Sequence, residues 1–190
     1  MIYLVLGLVL FLGVHSISIV APVWRDRVAG RLGNAWRGLY SLVSIAGFIL
    51  IIRGYGLARL DPAVLYTPPV WTRHITPVLM LPVFPLFLAT YFPGSIKRAL
   101  THPTLIAVIF WSVAHLVAVG LLADVLLFGG FLVWAIADRI SYGWRTQRSI
   151  ATAPATKLND VIAVLLGLVL YVVFAYWLHP RWIGVPALPV

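Results

Sequence analysis

Two histidines lie inside hydrophobic stretches that are long enough to cross a membrane, His15 in the first stretch and His115 in the fourth. A titratable side chain at membrane depth is costly, so it usually faces the protein interior and has a function there. Imidazole is the commonest protein ligand for metals and an axial ligand of haem iron. Two such rings on different helices could hold one haem from both faces, which makes His15 and His115 candidate axial ligands.

The depths of the two histidines allow this pairing, although a structural role for both rings stays open. At a rise of about 1.5 Å per residue, His15 and His115 should differ in depth by less than about 10 Å. Alternatively, each imidazole is hydrogen-bonded to a backbone carbonyl or to a nearby hydroxyl, for which Ser16, Ser18 and Ser112 are available.

Three further side chains are candidates for contact with a bound group. His102 opens the fourth stretch as Thr-His-Pro, where proline suits the first position of a helix. It lies about 20 Å from His115 along that helix, so both cannot bind one iron. His102 is either a helix-start residue at the membrane interface or a polar group for a ligand there. Arg37 and Tyr40 begin the second stretch, where Arg37 either orients the helix or binds an anionic group such as a haem propionate.

The residue inventory excludes several kinds of chemistry. The chain has no cysteine and no glutamate, and all five acidic residues are aspartates. Disulfides, thiolate ligands, iron–sulfur clusters and covalently attached haem are therefore excluded. Asp124 follows the short turn between the fourth and fifth stretches, where it is expected to cap the start of a helix.

The elements that must position these residues are membrane helices. Of the 190 residues, 62 % are hydrophobic and 10 % are charged, whereas a soluble domain is about half apolar and a quarter charged. We expect an all-α, polytopic bundle of about six transmembrane helices in a single domain over residues 1–190. The predicted spans are Ile2–Val23, Leu39–Leu57, Ile75–Phe92, Pro103–Leu122, Val125–Ile140 and Val161–Leu178. The segment Pro62–Trp71 is expected to be a loop.

The basic residues predict the orientation. Four of the fourteen lie on one side: Arg53, Arg59, Arg73 and Arg181. The other ten lie in the first, third and fifth loops: Arg25, Arg27, Arg31, Arg37, Lys97, Arg98, Arg139, Arg145, Arg148 and Lys157. The positive-inside rule therefore predicts cytoplasmic odd-numbered loops and periplasmic termini in a bacterial inner membrane. The net charge of +9 is assigned to this bias, because no basic run is interleaved with exposed aromatics, and no nucleic-acid partner is expected.

Five motifs in series carry a resemblance to a known family. They are His15-Ser16 with Arg25, Trp36–Ser44 (WRGLYSLVS), His102-Pro103, Trp111–Leu116 (WSVAHL) and Phe128–Trp134 (FGGFLVW). Together, over about residues 3–150, they resemble the NnrU family of integral membrane proteins. That family includes bacterial proteins associated with denitrification and the haem b protein zeta-carotene isomerase.

The resemblance implies haem b, with His15 and His115 at the positions of the isomerase's axial ligands. It also implies an inner-membrane protein associated with nitrite and nitric oxide reduction, whose partners are the lipid bilayer and either reductase subunits or a hydrophobic small molecule. Family members commonly carry Asn-Gly-Asp where this chain has Val119, Gly120 and Leu121, which favours divergence from the isomerase. Two alternatives are a haem-dependent isomerase and a membrane methyltransferase resembling the isoprenylcysteine carboxyl methyltransferases, which also use His-Pro at a helix start.

Overall fold

The computed structural model describes residues 1–148 and 150–188, and the regular elements in these residues are all helices. Four segments are long and apolar enough to cross a membrane, and they are Ile2–Val20, Asn34–Ala58, Thr72–Tyr91 and Asn159–Ile183. Pro103–Ala118 is apolar but has only 16 residues. Leu122–Ser141 has 20 residues, but any 18 consecutive ones include Asp124, Asp138 and Arg139. The all-α class is therefore confirmed, while the count of six spans stays a prediction.

The helices have the following bounds in chain order: α1 Ile2–Val20, α2 Pro22–Leu32, α3 Asn34–Ala58, α4 Thr72–Met80, α5 Val83–Tyr91, α6 Ser95–Leu100, α7 Pro103–Ala118, α8 Leu122–Ser141, α9 Asn159–Val173 and α10 His179–Ile183. A π-helical turn, Phe174–Leu178, joins α9 to α10. The helices form two compact units. Unit 1 comprises Met1–Tyr66 and Gly120–Gln147, and unit 2 comprises Thr67–Val119 and Arg148–Val190. The expectation of one domain over residues 1–190 stays a prediction.

In unit 1, α1 packs against both α3 and α8. Glycines allow the close approach of α1 to α3, because a Cβ atom at Gly47 would lie 2.8 Å from the backbone nitrogen of Phe11. The first helix ends before the predicted Val23, since Ala21 leaves the helical conformation and Pro22 starts α2. Proline suits a first helical position but cannot continue the preceding ladder of hydrogen bonds.

The end of unit 1 at which α1 begins is held by a buried carboxylate. Asp124 is 1 % exposed, and it accepts a hydrogen bond from the Tyr55 hydroxyl at 2.6 Å. It also accepts one from the Leu121 backbone N–H at 3.0 Å, which confirms the predicted cap of α8. The Gly120 carbonyl accepts from the N–H groups of Leu65 and Tyr66, so part of the predicted Pro62–Trp71 loop is tied to the start of α8.

Removing the Tyr55 hydroxyl is expected to destabilise unit 1. In Tyr55→Phe the ring remains, but the buried Asp124 loses a donor, and a hydrogen bond to a charged group contributes about 1.5–3 kcal/mol. Unfolding of the purified protein in mixed detergent and dodecyl sulfate, followed by circular dichroism, measures the loss. Tyr3→Phe is the control, because Tyr3 is half exposed and has no hydrogen-bonded hydroxyl in the described part of the chain. Equal stabilities of the two variants would contradict the role assigned to Asp124.

In unit 2, α5 packs against α7 and α9, and α4 packs against α7. The predicted third span is divided at Leu81-Pro82 into α4 and α5. Pro82 has no N–H to donate to the Val78 carbonyl, which instead accepts from Leu81. The Tyr171 hydroxyl of α9 donates to the Pro77 carbonyl at 3.1 Å, so a neighbouring helix compensates for part of the interrupted hydrogen bonding.

Candidate functional site

His15 lies near the end of α1, with its ring fixed by its own helix. Its Nδ1 atom is 2.6 Å from the carbonyl oxygen of Phe11, four residues earlier. The centroids of the Phe11 and His15 rings are 4.4 Å apart. A carbonyl oxygen only accepts hydrogen bonds, so Nδ1 carries the proton of the neutral ring and donates. The lone pair is then on Nε2, the arrangement that second-shell carbonyls impose on metal-ligating histidines.

Aromatic side chains from three helices of unit 1 surround His15. The Tyr40 ring of α3 lies edge-on at 5.2 Å between centroids, and the Trp134 ring of α8 lies at 5.9 Å and 88°. We call Phe11, His15, Tyr40 and Trp134 the His15 cluster. Of the predicted site residues, the structure therefore brings His15 and Tyr40 together. The sequence-based site lacked Trp134, although this residue lies inside a predicted span and ends the Phe128–Trp134 motif.

Two nitrogen atoms of the His15 cluster have no hydrogen-bond partner among the described residues. One is Nε2 of His15, whose only hydrogen bond there is made by Nδ1. The other is the buried Nε1 of Trp134, which can only donate. A buried donor without an acceptor costs about 1–3 kcal/mol, so an acceptor on a bound ligand would stabilise Nε1 of Trp134. Nε2 of His15 carries a lone pair with which it could bind the same ligand. Nε2 of His15 could therefore hold a haem iron, and Nε1 of Trp134 could donate to an acceptor group of that cofactor.

His115 has the same local arrangement in unit 2. Its Nδ1 atom lies 2.8 Å from the carbonyl oxygen of Trp111, and the two rings are 5.4 Å apart between centroids. Both histidines therefore follow an aromatic residue by four positions on one helix face and donate to its carbonyl. The repeated pattern, Phe-x-x-x-His and Trp-x-x-x-His, is readable from the sequence but was not used to predict the site.

Of the alternative hydrogen-bond partners predicted for the two histidines, the backbone carbonyls are observed and the hydroxyls of Ser16 and Ser112 are not. The carbonyl bond foreseen for each ring is made by Nδ1 in both. The serines do not take that place, because Ser16 donates to the Leu12 carbonyl. Ser112 is fully buried, and its hydroxyl has no partner within the described residues. Because Nδ1 is occupied, any ligand of either ring must bind at Nε2.

The two remaining predicted residues lie at the starts of their helices. Arg37 is exposed in the first turn of α3, one turn before Tyr40. His102 occupies the N-cap position of α7, and Pro103 is the first helical residue, as predicted. His102 and His115 thus lie near opposite ends of α7. Within residues 1–148 and 150–188, no group of three or more potential metal-ligating side chains comes together.

An open apolar groove of about 510 Å³ lies beside the His15 cluster, between α1 and α8. Its lining includes Ser16 and Ile19 from α1, and Gly129 and Trp134 from α8. Gly129 leaves open space where a side chain would be, which widens the groove. The Trp134 side chain is thus shared between the groove and the His15 cluster.

The comparisons with known proteins assign the chain to a family. A family model described as NnrU protein matches residues 3–187, nearly the whole chain. The chain belongs to the NnrU family. The resemblance carried by the five motifs is confirmed, and the match extends beyond residue 150 into the last helices of this NnrU protein. No curated protein matches the chain, and no solved structure does.

Proposed function

We propose that this NnrU protein is a multi-pass inner-membrane protein that binds haem b through His15 and His115 and acts in nitrite and nitric oxide reduction. The observation that carries the haem proposal is Nε2 of His15, which has no partner among the described residues, while Nδ1 makes the Nδ1–H bond to the Phe11 carbonyl; His115 makes the same Nδ1–H bond to the Trp111 carbonyl. This bond gives both rings the tautomer in which Nε2 can ligate iron. His15 lies in unit 1 and His115 in unit 2, and the family resemblance implies that they pair on one haem.

The surroundings of His15 support a cofactor in a dry site. The Phe11 carbonyl orients the imidazole, while the Tyr40 and Trp134 rings exclude water from its sides. The unsatisfied Trp134 Nε1 is a donor that an acceptor group of the bound cofactor would complete. When bound, haem would supply one-electron chemistry whose potential depends on the axial ligands and on the low dielectric of this surround.

The membrane orientation is part of the same proposal. Ten of the fourteen basic residues lie in the predicted odd-numbered loops, which favours cytoplasmic odd-numbered loops and, with six spans, periplasmic termini. The apolar α7 and the more polar α8 would be the two spans that supplement the four long apolar segments. A reporter enzyme that works only in the periplasm should be active when it is fused after residue 190. Activity of a fused reporter that works only in the cytoplasm would contradict this orientation.

The role in denitrification is tested in a strain that carries this gene. Deletion is expected to lower nitrite and nitric oxide reductase activity while reductase transcripts remain. The wild-type chain should restore the activity, but His15→Ala and His115→Ala should not. His74→Ala is the matched control, because His74 is exposed at the start of α4 and belongs to no site described above. Full reductase activity in the deletion strain would contradict the role in denitrification. Restoration of that activity by both His15→Ala and His115→Ala would show that the role does not require haem bound by these histidines.

A further inference from the structure

The helix α2 and the first turn of α3 form a corner at the surface of the membrane. The helices that α2 joins, α1 and α3, are each long and apolar enough to cross the bilayer. No residue of α2 is buried in the protein, and its sequence is polar, with Arg25, Asp26, Arg27 and Arg31 among its eleven residues. Because α2 connects two spans at one end of unit 1, it lies at the level of the lipid headgroups.

Two buried donors at this corner have no acceptor among the described residues. Trp36 is 8 % exposed, and its Nε1 atom is buried without a hydrogen-bond partner. The guanidinium of Arg25 lies 5.8 Å from the centre of the Trp36 ring, and its Nε atom is likewise buried and unsatisfied. Another nitrogen of Arg25 is paired with Asp26 at 3.0 Å. Both unsatisfied atoms are donors only, and neither has an acceptor in the described part of the chain.

The charge of the corner selects the kind of acceptor. Arg25, Arg27 and Arg31 on α2 and Arg37 on α3 carry four positive charges, and Asp26 is the one acid among the residues of α2. An arginine fork and an indole N–H suit phosphate oxygens, and anionic phospholipids supply phosphate at the level where α2 lies. The exposed Trp24 ring packs edge-on against the Trp36 ring, with 6.2 Å between the centroids and 80° between the planes.

We propose that the corner of α2 and α3 binds the phosphate of an anionic phospholipid, with Trp36 Nε1 and Arg25 Nε as donors. The two donors are not members of the His15 cluster, although the Trp36 ring lies 6.4 Å from the Tyr40 ring of that cluster. The site would hold the start of α3, the helix that carries Tyr40, at a fixed depth in the membrane. An anionic headgroup is expected rather than a zwitterionic one. The acid of α2, Asp26, is paired with Arg25 and is not available to the ammonium group of a zwitterionic lipid.

The test titrates dioleoylphosphatidylglycerol into the delipidated full-length protein in detergent, with native mass spectrometry as the readout. Trp36→Phe removes only the indole N–H, and Arg25→Lys keeps the charge but removes Nε. Each change is expected to weaken binding roughly tenfold, which corresponds to about 1.4 kcal/mol. The matched controls are Trp71→Phe and Arg73→Lys, the same changes at exposed positions outside the corner, and they should bind within about twofold of the wild type. Dioleoylphosphatidylcholine should bind more weakly than phosphatidylglycerol.

Three results would overturn the proposal. Equal binding of phosphatidylglycerol by all four variants would show that the two donors take no part. Displacement of the lipid by millimolar inorganic phosphate, with no preference for phosphatidylglycerol over phosphatidylcholine, would make the ligand a soluble anion. Loss of haem in Trp36→Phe with unchanged lipid binding would assign the donors to the cofactor instead. Thermal midpoints recorded for each variant distinguish loss of lipid binding from loss of fold.

Discussion

Replacing Gly54 by alanine is expected to force α1 away from α3 and to lower the free energy of unfolding by about 3 kcal/mol or more. A Cβ atom at Gly54 would overlap the backbone nitrogen of Leu4 and lie 2.6 Å from its Cα atom. Leu4 is fully buried, so its backbone cannot shift into open space. Because small residues let transmembrane helices pack backbone to backbone, the added methyl group removes contacts along the whole α1–α3 interface.

Gly56→Ala is the matched control for this prediction. Gly56 lies two residues further along α3, and a Cβ atom there would meet no atom within 4 Å. Alanine at that position should be neutral or stabilise the helix by about 0.5–1 kcal/mol. Unfolding of both variants in dodecyl sulfate, followed by circular dichroism, measures the difference. Similar midpoints for Gly54→Ala and Gly56→Ala would show that α1 and α3 do not approach as described.

Removing the carboxylate of Asp138 is expected to have an effect of similar size. The side chain of Arg145 is 4 % exposed, and one of its terminal nitrogens lies 2.5 Å from an Asp138 oxygen. The guanidinium also lies 3.9 Å from the centre of the Tyr142 ring. Asp138→Ala leaves a buried cation without its partner, which costs about 3–5 kcal/mol. Asp26→Ala breaks the exposed pair with Arg25 and should cost less than about 1 kcal/mol.

A double variant separates the ion pair from the packing around it. Asp138→Leu with Arg145→Met removes both charges, and apolar replacement of a buried pair is often neutral or stabilising. The double variant should therefore recover most of the stability lost in Asp138→Leu alone, as measured by the same unfolding experiment. A double variant that is less stable than either single variant would contradict the assignment of the loss to an unpaired charge.

The long apolar helices could be predicted from the sequence because each is encoded locally. Apolar runs indicated the long spans, and Asp124 was correctly identified as a cap because capping depends on residues three positions apart. The helix α2 was missed because it is short, polar and follows the first span directly. Its start depends on Pro22, which ends one ladder of hydrogen bonds and begins another.

The site was predictable only where its contacts are local. The carbonyl bonds of His15 and His115 run within single helices, and they were foreseen as one alternative. The contact of Trp134 with His15 joins residues on different helices, and no periodicity indicates which helix faces are in contact. The hydrogen bond between Tyr55 and Asp124 spans 69 positions and was missed for the same reason.

The absorption spectrum of the purified protein tests the central claim, that His15 and His115 ligate one haem b. The wild-type chain and the His74→Ala control should show a Soret band and, when reduced, the sharp α and β bands of a six-coordinate bis-histidine haem. His15→Ala and His115→Ala should each lose these bands or convert them to a five-coordinate spectrum. A wild-type protein that binds no haem when it is supplied, or spectra unchanged in both variants, would contradict the account.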